Sequence, residues 1–595
     1  MLGAHGVAVC SLAAAAAWGA GCNPLPGLEP DKPSPDAGGG GGAGGGIDLP
    51  DGGVCSCGIM CSSDMTAVID CDGNVLEQCT PDQGCVNAKC IDDPCDAARA
   101  TQSSYGCDYW AIKTALRQQP DLACFAAFVA NIWTKPVKLN VSYDGQALQP
   151  DTFAYIPKIS ANGDIDYTPY DNAKGIGVGE AAILFLSRLP GASVPICPMP
   201  AALDIETGVL GTGKGKGFHI QSDYPIAAYQ IVPYGGGMAA VPSATLLLPT
   251  SAWHTNYLAV NAYQAAPDGD PNNPFGGYPA LEIVAREDAT KVTILPKMPI
   301  VGGAGVMPAV ANKPVTYDLD AGEFLQITQP DELTGSVIAS DKAVAVFGAS
   351  TGMKVPTNVN GWDSAQQQLA PVRALGSEYV AVRYKSRSAA MEESTRWRIV
   401  GAVDGTELTW EGTKPAGAPN TIDQGQIVEL DGPGPFIVRS QAADHPFYLG
   451  SYMTGGAPFA NDGDPDWVNV VPPQQYLKRY VFFTDPTYPE TSLVVVRTPN
   501  LDGTFDDVQL KCRGVLDGWQ KIGDYEYTRV NLVTGNFSSV DGCTNGPHEM
   551  SSDSPFGVTV WGWGTTPPSK LVSYAYPAGA GVFPINEVKI PTTPQ

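Results

Sequence analysis

The stretch IASDKAVAVFGAS at 338–350 decides how this chain folds. Its second half, AVAVFGAS, holds apolar and small residues without a helical repeat, as a buried strand does, and Ser340-Asp341 interrupts the run near its start. The pattern returns as IQSDYPIAAYQIV at 220–232, RSQAADHPFYLGSYM at 439–453 and MSSDSPFGVTVWGWG at 550–564. With Asp223, Asp341, Asp444 and Asp553 as markers, the copies lie 118, 103 and 109 residues apart.

Other signals recur in register with it. A proline precedes a tyrosine by eight residues in LPTSAWHTNYLAV (Pro249, Tyr257), APVRALGSEYVAV (Pro371, Tyr379) and PPQQYLKRYVFF (Pro472, Tyr480). Two alternating segments, ALEIVAREDATKVTIL at 280–295 and RWRIVGAVDGTELTW at 396–410, read as hairpins turning at Asp288 and Asp404; FVANIWTKPVKLNV at 128–141 fits more loosely. A glycine turn precedes each closing strand in GVGEAAILFL (177–186), DAGEFLQI (320–327) and DQGQIVEL (423–430). Helical periodicity is confined to a turn or two within 114–131. The expected fold is therefore all-β. It has about four repeated β units of roughly 100–120 residues, sandwich-like or packed radially, behind a small disulfide-rich module and a flexible tether.

Composition agrees. The 595 residues include 68 Gly and 52 Pro, which favours many turns and short strands. A net charge of −26 repels phosphate backbones, so no nucleic-acid partner is expected. Five histidines, none in an HxH or HExxH arrangement, argue against a zinc hydrolase.

Residues 7–20 form an apolar run of signal-peptide length ending at Gly21-Cys22, and small residues before Cys22 resemble a bacterial lipobox. The expectation is export with acylation of Cys22, the alternative a plain secretory signal cleaved nearby. The body then meets the membrane only through that lipid, as a cell-envelope protein at the outer membrane or cell surface, or else is secreted. The segment 23–54, rich in Pro, Asp and Gly, reads as a tether. Cys55, Cys57, Cys61, Cys71, Cys79, Cys85, Cys90 and Cys95 crowd about forty residues with little apolar content, which cross-links must hold together. That module, 55–96, is either a recognition knob or a spacer. Cys512 and Cys543 are expected to close a late loop. Repeat boundaries are expected at 97–234, 235–352, 353–454 and 455–595, after a signal segment at 1–22.

These residues resemble the IgGFc-binding protein N-terminal domain family. The matching segments are SDYPIAAYQ (222–230), TLLLPTSAWHTNY (245–257), VAREDATKVTIL (284–295), AGEFLQI (321–327) and LTGSVIASDKAVAVF (333–347). The resemblance implies a secreted or surface protein that binds and does not catalyse. It carries no defined Fc-contact residue, so antibody binding is not transferred.

Candidate chemistry is sparse. GTGKGKG at 211–217 lacks phosphate-loop spacing and reads as a flexible basic loop. Asp268, Asp270 and Asn272, and Asp462, Asp464 and Asp466, place oxygens on alternate positions as calcium loops do, or are solvated turns. Calcium is the one cofactor suggested. No GxSxG elbow or recurring acid–base pair points to an enzyme. WGWG at 561–564, Trp467 and Trp519 are expected to fill cores before they stack on sugars. The function expected is binding or adhesion to an extracellular glycan or protein. The alternatives are a self-associating envelope or matrix protein and, further off, a secreted hydrolase.

Overall fold

The computed structural model describes residues 58–115, 123–160, 163–189, 197–236, 241–266, 277–359, 361–388, 390, 392–565 and 570–593. Four successive stretches, Tyr105–Leu247, His254–Gln368, Glu378–Asn469 and Leu477–Pro577, make the same set of strand pairings and are units one to four below.

Each unit is organised by a long strand that serves two sheets. In unit two, Val337–Met353 pairs through Val337–Ser340 with Thr290–Leu295 and through Val344–Ser350 with Pro279–Ala285. The Ser-Asp pair sits where the strand passes between layers and the ladder lapses. There Asp341 accepts the Lys291 amide at 2.8 Å, and Ser340 Oγ donates to the Lys342 carbonyl at 2.6 Å. Side chains thus satisfy backbone groups that the fork would leave unpaired. Unit one repeats the device with Asp223 on the Lys138 amide (2.7 Å) and Ser222 on the Tyr224 carbonyl (2.7 Å). In unit three Gln441 takes the Glu407 amide at 2.8 Å, and the strand is broken into Phe436–Ser440 and Phe447–Met453.

A tyrosine locks the fork in every unit. Tyr257, Tyr379 and Tyr480 accept the amides of His254, Gly376 and Leu477 and donate to the carbonyls of Val344, Phe447 and Phe556. Tyr109 reaches the Ile226 carbonyl at 2.7 Å in the same place. Each proline of the recurring Pro–Tyr spacing precedes a single helical turn: Thr250–Ala252, Val372–Ala374 or Pro473–Gln475.

The expected hairpins at Asp288 and Asp404 are corners instead. Pro279–Ala285 pairs with Glu323–Thr328 in one layer and Thr290–Leu295 with Val315–Leu319 in the other, never with each other. Alternation cannot distinguish a hairpin from a corner, but burial can: the first arm is buried throughout, the second only on alternate residues. Each corner is cross-braced to the glycine turn. Asp288 accepts the Ala321 amide and Asp320 the Ala289 amide; Asp404 and Asp423 repeat the exchange with Gln424 and Gly405. Gly322 and Gly425 stand at φ of +76° and +66°, which a side chain would strain.

The units are two-layered sandwiches arranged in a ring. Phe125 and Val129 of unit one share a core with Val284 and Phe347 of unit two; Val400 and Tyr448 of unit three pack with Leu281 and Val346. Val380 and Ile437 meet Val494 and Trp561 of unit four, and Phe483 returns to Phe128 at 4.9 Å between ring centroids. Burying each such ring contributes roughly 1.5–3 kcal/mol.

The last strand of each unit, Ser243–Leu247, Asp363–Gln368, Asp466–Asn469 and Ser573–Pro577, is an edge strand paired only with its own long strand. The four edges face one another on the ring axis, away from solvent. Glutamines bridge them: Gln367 Nε2 lies 3.0–3.1 Å from the carbonyls of Ala244, Trp467 and Ala575, one from each other unit. The boundaries expected at 234, 352 and 454 fall before these axial strands, which belong to the preceding unit.

Two further expectations change. GTGKGKG is not a flexible loop: Gly213–Lys216 is a strand that unit one lends to the sheet of unit two, against Glu323–Gln326. Among the described residues the α-helix is Pro94–Thr101, capped by Asp93 with Pro94 in its first turn. Of the stretch expected to hold a helical turn, Phe125–Asn131 is a fully buried strand and residues 116–122 lie outside the described residues. A continuous apolar run suits either state, and the Asp-Pro start signal marks the true helix.

Candidate functional site

The axis has two unlike ends. At the leading end the four strands begin with Ser243, Asp363, Asp466 and Ser573. Asp466 accepts the Trp467 amide at 2.7 Å and the Ser243 hydroxyl at 3.2 Å. Asp464 accepts the Gly456 amide at 3.3 Å, while its own amide donates to Ser573 Oγ at 2.9 Å. Asp363 is fully buried, and neither carboxyl oxygen finds a partner in hydrogen-bonding geometry. Burial, with Asp464 and Asp466 nearby, pushes its carboxyl well above the usual range, although the Ser573 amide pulls the other way. Burial lifts Asp464 to about 7 against the pull of the Gly456 amide and Arg387, and lifts Asp466 well upward. Arg387 itself is committed to Glu393 at 2.5 Å, both side chains inaccessible, and lies 4.3 Å over the Phe459 ring.

The second acidic loop therefore separates its oxygens. Asp462 points toward Lys570 at 4.0 Å, Asp464 toward Gly456 and Asp466 toward Ser243. Among the described residues no group of three or more His, Cys, Asp or Glu is placed to hold a metal ion. Asp268, Asp270 and Asn272 lie outside the described residues, as do Cys22, Cys55 and Cys57. Asp363, which sequence reading missed, carries no motif; its only signal is an acid opening a strand of buried glutamines.

The cysteines staple the small module and tie loops of units one and four into the core. Cys61–Cys85 and Cys79–Cys90 cross-link the small module, and Cys71 is also disulfide-bonded. Cys95 does not close within the module: it joins Cys107 and ties the helix to the first strand of unit one. Cys124–Cys197 and Cys512–Cys543 close loops within units one and four. The module docks on unit one, where Lys135 meets Asp82 at 2.5 Å and Trp133 Nε1 donates to the Pro81 carbonyl at 2.8 Å.

At the trailing end the strands spread around a cavity of about 60 Å³ lined by Leu248, Val260, Leu369, Tyr379, Val470 and Pro577. Sites for small molecules generally need several hundred Å³. The candidate aromatics are structural: Trp467 is buried and stacks with Tyr452, Trp561 lies 4.8 Å from Tyr384, and Trp519 packs on the Arg497 guanidinium. His219 pairs with Asp108 at 2.6 Å beneath the Trp110 ring, and His548 is buried against Phe482.

The recurring motifs are thus devices of the fold: a forked strand, a tyrosine lock and a braced corner. The model of the family described as IgGFc binding protein matches residues 243–562. The chain belongs to the IgGFc binding protein family. The family match spans more than half the sequence, from the first axial strand to the last long strand. It leaves out the cysteine module and most of unit one, whose strand pairings are nevertheless those of the other units. The family is named for binding rather than for catalysis. No curated protein matches the chain. No helix among the described residues is long and apolar enough to cross a membrane.

Proposed function

We propose that this protein is an exported adhesion or matrix-binding component that presents the loops of its β units to an extracellular glycan or glycoprotein. The family match carries this reading. Two physical features support it. Disulfides need an oxidising compartment to form and persist. The sheet edges of the four units are turned inward to the axis, so recognition falls to the outward loops.

In the same reading, Cys22 is acylated and residues 23–54 tether the ring to the outer membrane or cell surface. The repeats follow the cysteine module, each ending with its axial strand. Calcium at the Asp268, Asp270 and Asn272 loop belongs to this proposal, and chelation should then weaken binding.

The test is a screen of the purified full-length chain against immobilised extracellular glycans and glycoproteins, with each bound partner recovered and analysed. Retention of an intact partner supports the reading. Covalent change in the partner, or retention of none while the protein assembles with itself as its concentration rises, overturns it. Mass spectrometry of the native N-terminus tests the anchor separately: an acylated Cys22 is expected, and an unmodified N-terminus in the medium would replace tethering with release.

A further inference from the structure

The trailing end holds a second cluster that the fold does not require. Two of the short helical turns, Thr250–Ala252 and Val372–Ala374, lie there, and the C-terminal stretch after Pro577 is strapped across them. The Ile585 amide donates to the Arg373 carbonyl at 2.8 Å and Asn586 Nδ2 to the Val372 carbonyl at 2.9 Å. The Ile590 amide donates to Asn256 Oδ1 at 2.9 Å. Under this strap Arg373 and Lys589 both come within electrostatic reach of His254.

Their polar atoms are not satisfied. Arg373 touches Gln102 Oε1 through Nη2 at 3.4 Å, but its buried Nε meets no acceptor. His254 Nδ1 is buried without a partner, and so is Ser251 Oγ, three residues earlier. The groups that perturb His254 are two cations, and Tyr257 is the group that perturbs Arg373; no carboxylate is among them. Nearby charges are accounted for otherwise. Arg286 bonds the Thr250 carbonyl and pairs with Glu287, and Glu587 is exposed on the strap. In a chain with 61 acidic residues, a half-buried arginine beside a half-buried histidine with no counter-charge is an anomaly.

Burying uncompensated positive charge is costly, and a water could satisfy a donor without neutralising it. An oxyanion does both, since it accepts from Nε, Nδ1 and Oγ and cancels the charge. We propose that Ser251, His254, Arg373 and Lys589 form a binding site for a tetrahedral oxyanion of the sulfate or phosphate type, free or carried as an ester on a sugar. Arg373 is the charged anchor, His254 and Ser251 complete the hydrogen bonding, and Lys589 is the exposed rim. The proposal is independent of the partner-binding reading, because the site can fill whether or not a macromolecule docks on the loops.

One feature makes it testable by pH. Burial, then Arg373 and Lys589, hold His254 down to about 4, so it is neutral when the site is empty. A bound anion favours the imidazolium, so binding couples to proton uptake and tightens as pH falls. The experiment titrates the intact protein with sodium sulfate, then galactose 6-sulfate, at constant ionic strength set with sodium chloride. Calorimetry and thermal melting are read at pH 5.5 and 7.5. Saturable sulfate binding that is tighter at pH 5.5 is expected, and Arg373→Gln should weaken it about tenfold or more, the loss of one charge-assisted contact. Lys589→Gln, at an exposed position that the fold does not need, should weaken it less. Equal binding of galactose 6-sulfate identifies a sugar ester as the group that fits; sulfate without the sugar identifies a free-ion site. Stabilisation no greater than with chloride, or unaltered sulfate binding in both variants, overturns the proposal. If Arg373→Gln fails to fold, Lys589→Gln and the pH dependence of the unmodified protein decide it.

Discussion

The two ends of the ring axis bury ionisable groups of opposite kinds. The leading end gathers Asp363, Asp464 and Asp466, which escape the cost of burial by holding protons. The trailing end gathers His254 and Arg373, and there only the histidine can shed its charge near neutral pH. The same ring thus responds to pH from both sides. A carboxyl whose folded pKa is raised contributes stability that is fully present below its unfolded value near 4 and is lost as pH rises through the folded value. A histidine whose folded pKa is lowered contributes stability present above about 6.5 and lost as pH falls toward the folded value.

The largest effect tests whether the ends form one body. Gln367→Leu leaves three carbonyls on the axis without their donor and should cost roughly 2–4 kcal/mol, seen as a lower midpoint in denaturant. An unchanged midpoint would mean that the units hold together through their apolar cores alone. Next, Asp363→Asn removes the carboxylate with no partner. It should stabilise the protein at pH 8 by roughly 1–3 kcal/mol and have little effect at pH 4, where the acid is already neutral.

The unmodified protein should lose stability from about pH 4 up to pH 8, because Asp464, raised to about 7, and the buried Glu282, raised to about 8, hold protons that the unfolded chain releases near 4. Thermal melts across that range would show it, and a flat profile would remove the contrast between the ends. The smallest effect lies on the acid side. Between pH 6.5 and 4 the raised carboxyls gain stability as pH falls, while His254 and His548, both held to about 4 by burial, oppose that gain. His254→Asn should therefore steepen the gain slightly, because one of the two opposing groups is removed.

Legibility in the sequence followed how local each feature is. The Ser-Asp interruption, the Pro–Tyr spacing and the glycine turns could be read because each is a short segment satisfying its own backbone. The physical role of Asp341, an acceptor for Lys291 fifty residues away, could not. Asp288 was read as a hairpin turn because alternation reports which residues are buried and not which strand lies alongside. Asp464 and Asp466 drew attention by their spacing, yet that spacing scatters their oxygens once the strand enters the axis. His254 and Arg373 carried no signal, being 119 residues apart, one opening unit two and the other in the turn that leads into unit three.

The sequence by itself determined that the chain is all-β, that its motifs recur at about a hundred residues and that its cysteines form cross-links, because alternation, turn residues and cysteine density are local or compositional. Only the tertiary structure decided that the units close into a ring, that four sheet edges meet on a polar axis and that acidic groups gather at one end and basic groups at the other. Those are contacts between residues a hundred or more positions apart, and nothing in the pattern of one unit records which neighbour its edge will face.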